Sequence, residues 1–216
     1  MLKEKKTKRL FSLNYKEITK KIFPLSADQE KKIEGFLEEL VSFNKHTNLV
    51  GKSTLINPWR SHILDSIQVS EFIHNKKSTV LDMGTGAGLP GIILAIMGYE
   101  RVTLVDSNGK KINFVKNVCE KLNIKVEILL KRIEEIQKKQ YDFLVCRALS
   151  KLNNLLFYSH KIIHSKTALV FLKGKNATNE ICEAKKKWSF KNKIHQSKSD
   201  PRGRIVVIKN LSLTKS

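Results

Sequence analysis

A glycine-rich segment near the middle of the chain constrains the fold more than any other feature. Residues 80–91 read VLDMGTGAGLPG, an apolar run followed by glycines at 84, 86 and 88. This order is typical of a buried strand, a tight turn and the start of a helix, where backbone without a Cβ can approach a ligand. Pro90 suits the first turn of that helix. The segment therefore predicts the first strand–turn–helix unit of a nucleotide-type cofactor site.

Two carboxylates flank this turn and indicate which cofactor it would hold. A dinucleotide site needs a third glycine at position 89 to admit a pyrophosphate, and that residue is Leu89. Asp82, just before the turn, suits a ligand that carries an ammonium and a sulfonium group, and Asp106 can accept hydrogen bonds from ribose hydroxyls. The pattern of Gly84, Gly86 and the two acids favours S-adenosylmethionine. The alternative is that the glycines form only a tight strand–helix connection.

The hydrophobic periodicity along the chain predicts an α/β fold. Apolar alternation places strands at 79–82, 102–106, 125–130, 142–147, 167–173 and 204–209, with helices between them at 91–97, 108–122, 132–138, 151–163 and 177–189. Such alternation predicts a Rossmann-like, mostly parallel sheet with helices on both faces. Three further helices, at 14–23, 26–45 and 58–72, form an N-terminal extension. We expect a basic arm with a short helix over 1–25, helices packed on the core over 26–75 and the sheet domain over 76–216.

Composition limits the class of protein without identifying it. The net charge is +21, which favours a polyanionic partner such as RNA or DNA. Only seven of the 41 basic residues are arginine, so the codon usage of an AT-rich genome explains the excess of lysine equally well. The three cysteines lie far apart and predict neither a disulfide framework nor a metal site. Without a signal peptide or a long apolar run, we expect a cytoplasmic protein that binds no membrane.

Several motifs together resemble one family, the bacterial ribosomal RNA small subunit methyltransferase G family, also called glucose-inhibited division protein B. The G-x-G-x-G-x-P-G-I run of the glycine turn and the H-I-L-D-S run at 62–66 are specific in combination. The other matching motifs are Asn44-Lys45-x-x-Asn48-Leu49, Leu104-Val105-Asp106-Ser107-x-x-Lys110-Lys111, Arg132-Ile133-Glu134, Tyr141-Asp142, Arg147-Ala148, Leu172-Lys173-Gly174 and Arg204-Ile205-Val206-Val207-Ile208.

The resemblance implies an activity, a cofactor and a set of binding residues. The family methylates N7 of guanine 527, in the 530 loop of 16S rRNA, with S-adenosylmethionine as donor. Its cofactor contacts correspond here to Gly84, Leu89, Ile133, Glu134 and Arg147, and it suggests Asp82 and Asp106 as supporting acids. The chain departs from the family at Ser61, where a basic residue is usual, after Leu49, where threonine is commoner than the Val50 found here, and at Ile133, where alanine is common. The expected partner is 16S rRNA or the small ribosomal subunit.

Four residues are candidates for RNA contacts: Asn48, His62, Lys173 and Arg204. His62 would either contact RNA or the rim of the cofactor site, or make a hydrogen bond in helix packing. Lys173 would either contact RNA or be a solvated lysine. For Arg147, the alternative to a place in the cofactor crevice is an ion pair with a nearby carboxylate.

The chemistry of the expected reaction requires alignment more than proton transfer. Guanine N7 exposes a lone pair, so we expect no general base and no catalytic acid–base residue, and no metal. We expect a monomer. The alternatives are a methyltransferase of the same fold with a small-molecule or protein acceptor, and a non-catalytic RNA-binding module. A nicotinamide oxidoreductase is disfavoured by Leu89.

Overall fold

A computed structural model describes residues 15–136 and 141–214. Within these ranges the chain forms one seven-stranded sheet in the order β3-β2-β1-β4-β5-β7-β6. The strands are β1 Thr79–Met83, β2 Arg101–Asp106, β3 Glu127–Leu130, β4 Tyr141–Arg147, β5 Ile163–Lys173, β6 Trp188–Gln196 and β7 Arg204–Leu213.

The sheet confirms the predicted fold class. The first five strands pair in parallel, and β7 pairs antiparallel with both β5 and β6. All six predicted strands are present, but β6 corrects the sequence prediction. The helix predicted at 177–189 ends at Ala184, and Trp188–Gln196 is a strand at the edge of the sheet.

The helices lie on both sides of this sheet, as predicted. They are α1 over 15–22, α2 Ala27–Phe43, a helical segment of Trp59–Leu64, α3 Asp65–Ile67 and Gln68–Phe72, then α4 Gly91–Ile96, α5 Gly109–Lys121, α6 Leu152–Ser159 and α7 Ala177–Ala184. The helix predicted at 132–138 is a single 3₁₀ turn, Ile133–Glu135, and the end of that range lies outside the described residues. An unpredicted 3₁₀ turn, Lys52–Ile56, follows α2. Residues 1–14, the first part of the arm predicted over 1–25, also lie outside the described ranges.

Local sequence explains the boundaries of α2. Ser26 accepts a hydrogen bond from the Gln29 backbone, and the Gln29 side chain accepts one from the Ser26 backbone. These two hydrogen bonds form a capping box, which fixes the start of the helix. The helix buries Ile33, Phe36 and Leu40 against the sheet domain. The Phe36 and Phe114 rings meet edge to face at 6.4 Å, which ties α2 to α5.

Two hydrophobic clusters fill the two sides of the sheet. The first contains α2, the helical segment 59–72, α4 and α5. The second contains α6 and α7. Strand β1 lies at the centre of the parallel part, with β2 on one side and β4 on the other. The chain reverses its strand order at this point, so a crevice is expected at the carboxyl ends of β1, β2 and β4. Among the described residues, no helix is both long and apolar enough to cross a bilayer.

Candidate active site

A cavity of about 680 Å³ opens at the carboxyl ends of β1, β2 and β4. Its volume falls in the range of pockets that hold small-molecule ligands, roughly 300–1,000 Å³. Its walls are the loop after α2, the helical segment 59–72, the glycine turn, the start of α5 and the end of β4. The lining residues are Leu49, Val50, Gly51, Thr54, Ser61, His62, Asp65, Gly84, Thr85, Gly86, Ala87, Leu89, Asp106, Ser107, Asn108, Lys111, Arg147, Ala148 and Leu149.

The three glycines of the turn have different functions, although all have positive φ angles. A Cβ on Gly84 would lie 2.5 Å from Leu149 Cδ1, and one on Gly88 would lie 2.2 Å from Ile92 Cδ1. These two glycines therefore allow close packing. A Cβ on Gly86 would have no atom nearer than the Gly84 carbonyl oxygen at 3.9 Å. Gly86 therefore presents bare main chain to the cavity.

Asp82 lies beneath this turn and is not part of the cavity lining. Its side chain is fully buried, and its Oδ2 accepts hydrogen bonds from Thr85 Oγ1 at 2.6 Å and from the Gly91 backbone N–H at 2.9 Å. Burial raises the pKa of Asp82 to about 6. The sequence suggested that this acid meets the cationic donor directly, and the family resemblance suggested a supporting acid. The structure places Asp82 below the turn and outside the cavity lining.

Asp106, at the end of the neighbouring strand β2, stabilises the glycine turn through hydrogen bonds to its carboxylate. Its Oδ2 accepts a hydrogen bond from the Gly86 backbone at 2.9 Å, and its Oδ1 accepts one from the Asn108 backbone at 2.9 Å. Each carboxylate oxygen has a second lone pair. Asp106 can therefore hold the turn and still accept hydrogen bonds from ligand hydroxyls in the cavity.

Arg147 projects from the end of β4 into a set of three acceptors. Its NH1 group donates to the Ser61 carbonyl oxygen at 2.9 Å and to Asp65 Oδ2 at 3.3 Å, and its NH2 group lies 3.2 Å from His62 Nδ1. Both sequence interpretations of Arg147 meet here, because the residue lines the cavity and pairs with a carboxylate. We call Arg147, His62 and Asp65 the arginine clamp.

His62 is a buried and neutral member of this clamp. Burial, with a smaller contribution from the Arg147 charge, lowers the pKa of His62 to about 3. Its Nε2 lies 2.9 Å from Thr54 Oγ1, whose hydroxyl donates to the Gly51 carbonyl oxygen at 2.6 Å. Because the hydroxyl proton is used there, Nε2 is the donor toward Thr54 and Nδ1 is the acceptor for Arg147.

Asp65 connects the clamp to the loop between β6 and β7. Its Oδ1 accepts hydrogen bonds from Ser199 Oγ at 2.6 Å and from Gln68 Nε2 at 3.2 Å. Ser199 belongs to the loop between β6 and β7, and the Arg60 side chain donates to its carbonyl oxygen at 2.6 Å. The loop is thus fixed against the helical segment that carries His62.

A smaller cavity of about 100 Å³ adjoins the main one and contains the other two predicted cofactor residues. Ile133 and Glu134 line it, together with Gly84, Asp106 and Leu149, which also line the main cavity. The two cavities therefore share a wall at the glycine turn. The structure brings together the predicted residues Gly84, Gly86, Leu89, Asp106, Ile133, Glu134 and Arg147, with Asp82 directly below.

The other RNA candidates lie outside the main cavity. Asn48 is exposed beside Leu49, which does line it. Lys173 forms an ion pair with Glu180 at 2.7 Å and donates to the Ser150 carbonyl oxygen at 2.8 Å, so it is not a freely solvated lysine. Arg204 donates to the carbonyl oxygens of Pro201 and Gly203 within its own loop. Of the four candidates, only His62 is part of the cavity wall.

Some lining residues were not identified as site residues from the sequence. Asp65 lies in the H-I-L-D-S motif and Lys111 in the motif that begins at Leu104, so membership of a family motif was the signal for both. Thr54 and Leu149 carried no such signal, because a hydroxyl in a loop and an apolar residue after a strand are both common. Among the described residues, no group of histidine, cysteine or acidic side chains is arranged to hold a metal ion.

Known proteins resemble this chain over most of its length. Residues 29–205 match the family described as rRNA small subunit methyltransferase G. The chain is 40% identical over 182 residues to the ribosomal RNA small subunit methyltransferase G of Rickettsia rickettsii, covering 84% of this chain and 94% of that protein. The homologous protein of Rickettsia prowazekii is 38% identical over the same length.

Solved structures with lower identity share the fold. A SAM-dependent methyltransferase from Aquifex aeolicus aligns with a TM-score of 0.55 at 19% identity, covering 77% of this chain and 96% of that one. The ribosomal protein L11 methylase of Lactobacillus delbrueckii aligns with a TM-score of 0.56 at 16% identity, covering 68% of this chain and 76% of that one. The fold is that of S-adenosylmethionine-dependent methyltransferases, and the chain belongs to the rRNA small subunit methyltransferase G family.

Proposed function

We propose that this protein transfers the methyl group of S-adenosylmethionine to N7 of guanine 527 in the 530 loop of 16S rRNA. The observation that carries the proposal is the cavity in which the bare main chain at Gly86, the Asp106 carboxylate and the arginine clamp converge. Family membership supplies the acceptor, because the relatives carry the name of a small-subunit rRNA methyltransferase. We further propose that the protein acts in the cytoplasm as a monomer.

The chemistry of the lining fits this donor. Arg147 offers a cation for the donor's carboxylate, and Asp106 offers lone pairs for its ribose hydroxyls. The smaller cavity with Ile133 and Glu134 offers an apolar wall and an acceptor for an adenine ring. Gly86 leaves the space that a Cβ would occupy. These residues would hold the donor, which supplies an electrophilic methyl group on a positively charged sulfur.

The protein's contribution is alignment and exclusion of water, because N7 of guanine carries a lone pair and no proton. Well-oriented reactants can contribute roughly 7–11 kcal/mol toward the barrier. The low pKa of His62, about 3, supports this account, since a buried imidazole that already accepts from Arg147 is a poor base at neutral pH. No residue has to take a proton from the acceptor.

The acceptor base must leave the helical stack to reach the cavity. N7 faces the deep, narrow major groove of A-form RNA, which side chains cannot enter. A guanine in a loop, or one splayed out of its stack, can reach the site at a smaller energetic cost. This favours an acceptor in a single-stranded loop of rRNA.

The test is methyl transfer from tritiated S-adenosylmethionine to small ribosomal subunits from a strain that lacks this methyltransferase. Label in 16S rRNA is the expected result, and label in a protein or in no macromolecule would refute the proposal. Gly86→Val should abolish donor binding, because the side chain enters the cavity. Gly98→Val is the matched control: Gly98 also has a positive φ angle but follows α4, away from the cavity lining, so it imposes similar strain without filling the cavity.

A further inference from the structure

Strands β6 and β7 carry a row of basic side chains on one face of the sheet. Lys191, Lys193 and His195 alternate along β6, so all three point to the same face. Lys209 on β7 lies directly opposite Lys191 in the antiparallel register and shares that face. All four residues are exposed. We call them the basic strip.

The lysines of this strip have no acidic partner within the described parts of the chain. Nearby lysines do: Lys198 pairs with Glu71 at 3.3 Å, and Lys186 pairs with Glu183 at 2.8 Å. Like charges directly opposite each other on paired strands are destabilising. The pairing of Lys191 with Lys209 therefore reduces the stability of the sheet, and an external anion would relieve the repulsion.

Protection of an exposed edge does not account for the strip. Lysines on an edge strand hinder unwanted pairing with other chains, which could explain Lys191 and Lys193 on β6. Strand β7, however, lies inside the sheet between β5 and β6. Lys209 is not on this outer strand, although the pairing of β7 with β5 ends one residue before it, at Ile208. Protection of the β6 edge therefore does not explain why a third lysine lies directly opposite Lys191.

The strip begins at the carboxyl end of the parallel strands, which is the end of the sheet that carries the candidate active site. Gln196 pairs with Arg204 at that end of the sheet. From His195 to Lys191 the strip extends about 13 Å, at roughly 3.3 Å per residue. The loop that joins β6 to β7 places Ser199 against Asp65 of the arginine clamp. A polyanion that lies along the strip would therefore reach the cavity from its β6 side.

We infer that the basic strip of Lys191, Lys193, His195 and Lys209 binds the phosphate backbone of the RNA whose guanine enters the cavity. This inference rests on the proposed function and adds the surface along which the substrate lies. Three lysines spread over two adjacent strands suit the repeated charges of a phosphate backbone better than a single anion. Such contacts position RNA without reading its sequence.

The test compares the triple variant Lys191→Gln, Lys193→Gln, Lys209→Gln with the wild-type chain in binding to protein-free 16S rRNA at several salt concentrations. Loss of three phosphate contacts should reduce the slope of log K against log salt by about 2, and weaken binding by roughly 10- to 50-fold at 0.15 M salt. The affinity for S-adenosylmethionine should not change. The melting temperature should stay the same or rise, because the repulsion between Lys191 and Lys209 is removed.

The control is a second triple variant with the same change in charge, Lys31→Gln, Lys116→Gln, Lys125→Gln, which alters exposed lysines away from β6 and β7. It should retain the wild-type salt slope. Equal losses in both variants, or no loss in the strip variant, would overturn the inference. A loss on whole subunits but not on protein-free rRNA would assign the strip to a ribosomal protein and also overturn it. If the wild-type chain binds rRNA but transfers no methyl group, the proposed function fails while the binding comparison still decides the role of the strip.

Discussion

Substitution of His62 tests whether this residue acts through Arg147 or only fills space. The two imidazole nitrogens have separate partners, Arg147 at Nδ1 and Thr54 at Nε2. An asparagine places its carbonyl oxygen near the position of Nδ1, and a glutamine places its amide group near that of Nε2. We therefore expect His62→Asn to keep an acceptor for Arg147 and His62→Gln to keep only the contact with Thr54.

The contacts of the guanidinium set the size of the effect. A hydrogen bond to a charged group contributes about 1.5–3 kcal/mol. Arg147 retains the Ser61 carbonyl oxygen and Asp65 as acceptors when His62 is lost, so the effect should fall near or below the lower bound. A loss of about 1–1.4 kcal/mol corresponds to about 5- to 10-fold weaker binding of S-adenosylmethionine in His62→Gln. His62→Asn should bind within about twofold of the wild-type chain.

Titration calorimetry with S-adenosylmethionine measures these affinities, and thermal unfolding measures stability in parallel. Tyr99→Phe is the matched control, because it removes a buried 2.6 Å hydrogen bond to the Ile73 carbonyl oxygen, just after the same helical segment, away from the cavity. It should lower the melting temperature without changing the affinity. Combining His62→Gln with Arg147→Met should add little to the loss from Arg147→Met alone. Equal losses in His62→Asn and His62→Gln, or losses that follow the melting temperature, would refute a positioning role.

Two further predictions concern buried titratable groups. Asp82 has a pKa of about 6 in the folded chain against an ordinary value of 3.8, so the folded state holds a proton that the unfolded state releases as the pH rises from about 4 to 6. Asp82 should therefore contribute a fall of up to about 3 kcal/mol to the free energy of unfolding over this window. Urea unfolding of Asp82→Asn should lack this contribution, and a difference between the two chains that stays constant across the window would contradict it. Burial raises the pKa values of Cys119 and Cys146 to about 12. Iodoacetamide at pH 8 should therefore modify only the exposed Cys182 in the native protein, and rapid modification of all three thiols, read by mass spectrometry, would be inconsistent with this burial.

Most of the sheet could be predicted because its central strands are buried on both faces. Residues 80–81 and 102–105 are mostly apolar before the acids Asp82 and Asp106, and this pattern has few other interpretations. Strand β6 could not be predicted in this way. It lies at the edge, most of its side chains are polar, and a run of lysines precedes it, so local preference favoured a longer helix α7. Residues 188–196 form a strand because they pair with β7, and this pairing is not visible in the local sequence.

The candidate site also has one part that local sequence predicts and another that depends on tertiary contacts. The glycine turn is a local device, so the spacing of Gly84 and Gly86 predicted both its shape and its open face. The arginine clamp depends on tertiary contacts between segments about 80 residues apart, and no pattern around Arg147 indicates which groups surround it. The position of the Asp82 side chain beneath the turn also could not be predicted, because an acid near the end of a strand can point either into the cavity or below the turn.

The most direct test of the account is to locate the methyl group after reaction of the purified protein with unmethylated small subunits. Mass spectrometry of nuclease digests of 16S rRNA should find one N7-methylguanosine, at position 527, formed at a rate that Gly86→Val abolishes and Gly98→Val leaves largely intact. A methyl group on another nucleotide, or none in rRNA, would contradict the claim that this cavity serves the methylation of a single guanine.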